Sequence, residues 1–122
     1  MRHATPTEHD EQKTVISWRN QMLNMEPRLA MLIAIPNAAK RSYRLASYMK
    51  SEGLAKGFPD LALLCKNDLY AGLFIEMKTQ RGKPTSEQLE WLCALRNHGY
   101  AAIVCYGADE TIRIIKTYLG IR

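Results

Sequence analysis

At 122 residues, 47% hydrophobic and 24% charged, the chain has the composition of a folded globular protein and the length of one domain, 1–122, with no room for a second core. No apolar run approaches a membrane span and the polar start Met1-Arg2-His3-Ala4-Thr5 does not read as a signal peptide, so no membrane partner is expected and the cytoplasm is the expected location. Lys and Arg number 17 against 12 Asp and Glu, a net charge of +5 that permits an anionic partner without identifying one.

Glu8 to Met22 reads as a helix, with Val15, Trp18 and Met22 on one stripe and Thr5 or Thr7 as cap. Glu8 and Glu11 fall on nearly the same side as Val15, at the edge of the buried face. Acids in a first turn also favour the helix dipole, so residue type alone does not separate a site acid from an end-stabilising one. Pro27 breaks the chain. Leu29 to Ile35 is an apolar run bounded by Pro36-Asn37; it fits a buried strand or a short helix, and its isoleucines and Pro/Asn stop favour a strand at its end. Arg41 to Glu52 reads as a basic helix stopped at Gly53. Gly57 suits either a tight backbone near a ligand or a plain turn.

Leu61 to Cys65 and Leu73 to Lys78 are two β-like runs joined through a polar turn at Lys66-Asn67-Asp68. After a polar loop, Thr85-Ser86-Glu87-Gln88 has capping-box character and opens a helix carrying Leu89, Leu92, Cys93 and Leu95, ended by Gly99 in the left-handed stop position. Ala101 to Tyr106 is a short buried strand, and Asp109 to Leu119 a final helix with Ile112, Ile115 and Leu119 inward. The order predicts an α/β fold, a mixed sheet of about four strands flanked by helices. Cys65, Cys93 and Cys105 lie in the apolar pattern without metal-ligand spacing and read as reduced core residues.

The chemistry concentrates in the hairpin. Its first strand begins after Pro59-Asp60 and its second ends in Glu76-Met77-Lys78. A hairpin folds back on itself, so Asp60 comes to lie beside Glu76 and Lys78. Side chains alternate along a strand, which puts Glu76 and Lys78 on one face and Met77 on the other. Two carboxylates and an ammonium on a common face make a hard-cation site with a cationic helper, suited to metal-assisted cleavage of a phosphodiester. The plainer alternative is a surface ion pair between Glu76 and Lys78. Lys40, Arg41, Arg44, Lys50 and Lys56 precede the hairpin, and Arg81 and Lys83 follow it. Taken alone these are solvated faces; beside a metal site they form a phosphate-binding surround. His3, His9 and His98 are scattered and build no Ser/His/Asp arrangement.

The layout Glu8…Gly57-x-Pro59-Asp60…Glu76-x-Lys78…Gln88 resembles the PD-(D/E)xK nuclease superfamily, and within it the VRR-NUC group, in particular its small stand-alone phage and prophage members. Glu8-His9-x-x-Gln12, Ile35-Pro36-Asn37 with Lys40-Arg41, Ser86-x-Gln88 and Gly99-Tyr100 add weaker matches, so the resemblance spans about residues 8 to 119. Asn37-Ala38-Ala39 departs from the pattern, which often has glycines after Asn.

The resemblance implies a restriction-endonuclease-like core and an endonuclease that cleaves DNA with Mg²⁺ or Mn²⁺ and no small-molecule cofactor. By position, Asp60, Glu76 and the Met77 carbonyl would hold the metal, and the family pattern favours Glu8 over Glu11 as the helix acid. Lys78 would orient the attacking water and stabilise phosphate charge, and Gln88 would orient the site. Asn37, Lys40, Arg41, Arg44, Arg81 and Lys83 are the expected DNA contacts. The implied substrate is a four-way (Holliday) junction, cut by a homodimer. The competing readings are a nuclease acting on flaps or single strands, a non-catalytic nucleic-acid-binding module, and a structural protein whose hairpin charges form an ion pair.

Overall fold

The structure, a computed structural model, describes residues 5–36 and 51–122. Asn37, Lys40, Arg41 and Arg44, and with them most of the expected basic helix, lie outside the described residues.

Helix α1 spans Glu8–Met22 and starts at a reciprocal cap: Thr7 Oγ1 accepts from the Asp10 N–H and Asp10 Oδ2 accepts from the Thr7 N–H, both at 3.0 Å. Thr7 is therefore the cap, and an aspartate takes the place of the usual Glu or Gln of the motif. The apolar run after Pro27 takes both shapes the sequence allowed. Pro27–Met31 is a short 3₁₀ helix with proline at its start, and Leu32–Ala34 is strand β1. Leu29 and Leu32, three apart, are both fully buried, so the tight turn keeps its apolar residues on the core side.

Strands β2 (Leu61–Leu63), β3 (Leu73–Lys78) and β4 (Ala101–Tyr106) complete a four-stranded sheet in the order β1-β2-β3-β4. The first two pairings are antiparallel and β3–β4 is parallel. The parallel step is made by helix α2 (Ser86–Asn97), and helix α3 (Ala108–Leu119) follows β4. In the hairpin, Leu61 faces Ile75 and Leu63 faces Leu73, which leaves Asp60 next to the end of β3. β2 stops two residues short of the expected Cys65 because the connection turns on Asn67. That side chain accepts from the Leu69 and Tyr70 N–H groups and donates to the Tyr118 carbonyl.

Helices cover both faces of the sheet. On one, Leu61, Leu63, Leu73, Ile75, Met77 and Cys105 pack with Val15 of α1 and Ile115 and Leu119 of α3. On the other, Ala62, Phe74 and Ala102 pack with Leu92 and Leu95 of α2, extended by edge-to-face contacts of Phe74 with Phe58 and Tyr100. Each fully buried leucine contributes about 1.5–3 kcal/mol. One core assignment is corrected: Cys93 is exposed, as is Leu89 one turn before it. The buried stripe of α2 is Gln88, Leu92 and Leu95, and Leu89 and Cys93 each sit about 100° further round the helix, off the strip that meets the sheet. Thr111 and Tyr118 of α3 are buried as well, Thr111 through a bond from its hydroxyl to the Gly107 carbonyl. Among the described residues no helix is long and apolar enough to cross a membrane.

The three cysteines are free and differ in exposure: Cys93 is exposed, Cys65 partly buried and Cys105 buried. Burial, reinforced by Glu110, pushes the Cys105 thiol up to about 12, and burial also raises Cys65. The thiolate is the reactive form. Alkylation of the native protein near pH 8, followed by peptide mapping, is expected to label Cys93 first and Cys105 only in denaturant.

Candidate metal centre

Asp60 sits immediately before β2, with its backbone carbonyl accepting from the Ile35 N–H at 2.8 Å and its Oδ2 accepting from the Met77 N–H at 2.8 Å. The hairpin thus ties the carboxylate of one strand start to the backbone of the other strand's end. Glu76 and Lys78 share the face of Phe74, and Met77 points into the larger core on the opposite face, as strand alternation requires. Asp60 is 3% exposed, Glu76 0% and Lys78 8%. Those values exclude the surface ion pair: Glu76 and Lys78 do interact, but inside the protein.

Two helices add to this end of the sheet. Lys78 Nζ lies 3.7 Å from Glu76 Oε2 and 3.9 Å from Glu8 Oε2, so the first residue of α1 reaches the strand's end. From α2, Gln88 Nε2 donates to Glu76 Oε2 at 3.2 Å, while its Oε1 accepts from the Thr85 N–H at 2.8 Å. The two bonds hold the amide at both ends, so the residue that closes the helix cap also aims a donor at the buried carboxylate. The capping box was legible in the sequence and the resemblance gave Gln88 an orienting part; that its donor meets Glu76 Oε2 needs the distance from α2 to β3. Gly57 contributes by close approach to α2. Its φ is +83°, and a Cβ there would lie 2.8 Å from Glu87 Cβ and 3.1 Å from Gln88 N, so the loop before Asp60 presses on the first turn of α2.

Glu8, Asp60 and Glu76 each offer a carboxylate oxygen within 4.8 Å of the others. Glu11 does not join them; it accepts from the Ala108 N–H at the start of α3. Geometry therefore separates the two acids that residue type left equivalent. The donor set is all oxygen, without His or Cys, which suits a hard cation such as Mg²⁺ or Mn²⁺ over a thiophilic metal. Ionised carboxylates this close repel one another, and a divalent cation offers the counter-charge to which Lys78 adds a single positive unit. The residues present fit such an ion.

Arg81 and Lys83 are exposed on the loop that follows β3. Arg81 also lines a cleft of about 480 Å³ with Thr5, Pro6, Glu11, Thr79, Gln80 and Gly107. Lys56 is exposed and pairs with Glu87 at 3.7 Å. His9 and His98 are exposed and outside the cluster.

The model of the VRR-NUC domain family matches residues 2–109. A solved structure described as a "VRR_NUC domain protein" is similar over 96% of this chain and 91% of its own, with a TM-score of 0.81 at 28% sequence identity. No curated protein matches the chain.

Two outcomes follow from the geometry. Mn²⁺ is expected to raise the thermal midpoint of the wild type, by about 2.7 kcal/mol of added stability at a free concentration 100 times Kd, and to leave Asp60→Ala unmoved. Gln88→Ala, which removes both the cap reciprocation and the donor to Glu76, is expected to cost about 1–3 kcal/mol in metal-free urea unfolding.

Proposed function

The chain belongs to the VRR-NUC domain family, a nuclease-type domain, and from that premise we propose that it is a divalent-metal-dependent endonuclease hydrolysing DNA phosphodiester bonds at the Asp60–Glu76–Lys78 centre. The observation that carries the reading is the convergence of the Glu8, Asp60 and Glu76 carboxylates within 4.8 Å, with the Lys78 ammonium 3.7 Å from Glu76 and 3.9 Å from Glu8.

Asp60 and Glu76 would hold Mg²⁺ or Mn²⁺, with Glu8 and the Met77 carbonyl as further oxygen donors. When bound, the ion supplies Lewis acidity toward the phosphoryl oxygens and a nucleophilic water at neutral pH. The protein's own groups do the positioning. The Met77 N–H fixes the Asp60 carboxylate and Gln88 fixes that of Glu76, so neither must reorganise when substrate arrives. Lys78 donates to the attacking water and to the phosphoryl oxygen on which charge builds. The step is an in-line displacement at phosphorus: a water oxygen gives up a proton to solvent and bonds to phosphorus as the ester oxygen leaves and takes up a proton from solvent, with no covalent bond to the enzyme.

Arg81 and Lys83, exposed on the loop that leaves the site, would meet the flanking phosphates. Four-way junctions are the substrate this reading favours. Such a junction has twofold symmetry and needs two incisions, whereas the described residues hold one carboxylate cluster, so paired cuts call for a homodimer.

The test is gel cleavage of labelled four-way junction, linear duplex, flap and single strand by wild type, Lys78→Ala and Asp60→Ala with Mg²⁺, Mn²⁺ or EDTA. Paired symmetric nicks confined to the junction, absent in EDTA, are expected, with Lys78→Ala slower by about 10²–10³-fold. Cleavage of flaps or single strands instead keeps the nuclease and discards the junction. Metal-dependent cleavage of none of the four, with DNA binding retained in Asp60→Ala, identifies a binding module.

A further inference from the structure

Glu11 stands one helical turn from Glu8 on the same face of α1, yet its carboxylate goes to the start of α3, where Oε2 accepts from the Ala108 N–H. That helix begins at Gly107, which has no side chain to cap it. An N-terminal turn of a helix carries unpaired N–H groups and partial positive charge, so the distant carboxylate serves as its cap. The capped turn is in turn part of the site's frame. The Gly107 N–H donates to the Lys78 carbonyl at 2.9 Å, and the Gln80 amide donates to the Tyr106 carbonyl at 3.4 Å. Glu11 and Gln80 both border Gly107: a Cβ there would meet Glu11 Oε2 and Gln80 Nε2 at an ordinary contact distance of 3.6 Å, and it is the φ of +87° that favours glycine.

We propose that Glu11 is a positioning residue, which by capping α3 clamps the first turn of α1 to the Gly107 turn and so holds the Glu8 carboxylate against the Lys78 end of β3. The connection is short and contiguous: Glu8 and Glu11 share a helix turn, Glu11 holds Ala108, and Gly107 holds the backbone of Lys78. The inference rests on the metal-site reading above, because it assigns Glu11 the task of placing one carboxylate of that cluster.

The test is a calorimetric titration with Mn²⁺ of wild type, Glu11→Ala, Glu11→Gln, Glu8→Ala and the Glu8→Ala/Glu11→Ala double variant, each below its metal-free melting midpoint. Loss of a group that orients a ligand weakens metal binding by about 10–100-fold, and about 10-fold is expected for Glu11→Ala. Glu11→Gln keeps an acceptor for the Ala108 N–H and is expected to recover most of that affinity. In the Glu8→Ala background, adding Glu11→Ala is expected to weaken binding no further, because the residue it positions is gone. A Glu11→Ala that melts earlier yet binds Mn²⁺ as tightly as wild type overturns the inference and leaves a helix cap. Independent weakening in the double variant overturns it too, since Glu11 would then act without Glu8. Wild type that binds no Mn²⁺ overturns the metal-site reading itself, a failure visible before any variant is compared. Should Glu11→Ala not fold, Glu11→Asp, which keeps the charge and shortens the reach, takes its place with the same expected weakening.

Discussion

Ionised groups buried at the end of β3 are the constraint around which the rest of the molecule is arranged. Every residue of that strand is buried, and two of them, Glu76 and Lys78, are ionisable. A carboxylate withdrawn from water costs several kcal/mol unless donors and counter-charges replace its hydration. Here the replacements come from different parts of the chain: the Met77 N–H of β3 for Asp60, the Gln88 amide of α2 for Glu76, and the Lys78 ammonium shared between Glu76 and Glu8. The hairpin, α1 and α2 must all be seated before the charges are compensated. A cluster of three carboxylates with one ammonium beside it is a poor stability device, since apolar residues of similar volume would serve a core as well or better. Its presence inside an otherwise apolar sheet is better explained by what it can bind.

Helix ends supply much of that compensation. The start of a helix leaves N–H groups without partners, and a fold must satisfy them from somewhere. In α2 the solution is local, Thr85 and Gln88 capping each other, and the same glutamine continues on to Glu76. In α3 the solution is distant, Glu11 answering for a glycine that has no side chain. Both caps therefore fasten a helix terminus to the neighbourhood of the carboxylates. Loosening either would disturb secondary structure and site geometry together, which couples stability to function at these positions.

The sequence was most legible where one periodicity ran without competition. α1, β3 and β4 have the limits that the pattern of apolar residues indicates, because each is closed by a cap, a breaker or a change of period. The segment from Pro27 to Ala34 was ambiguous since short apolar runs fit helix and strand alike, and the chain uses one after the other. Cys93 was read as a core residue because hydrophobicity marks a broad arc of a helix. How much of that arc meets the sheet is decided by how α2 lies across it, and Gln88 takes a buried place that an apolar count assigns elsewhere.

For the candidate site, the sequence by itself determined that Asp60, Glu76 and Lys78 would meet, and that Met77 would face away. Hairpin reversal and strand alternation are local rules, and both act within the stretch from Asp60 to Lys78. The resemblance already favoured Glu8 over Glu11; only the tertiary structure gave Glu11 to Ala108, set the Gln88 amide against Glu76 Oε2 and showed why residue 57 is glycine. Each of those depends on how separate elements come together, in the case of Glu11 and Ala108 across 97 positions of chain. Periodicity places a side chain on a face of its own helix or strand, but which atom of another element it meets is set by packing.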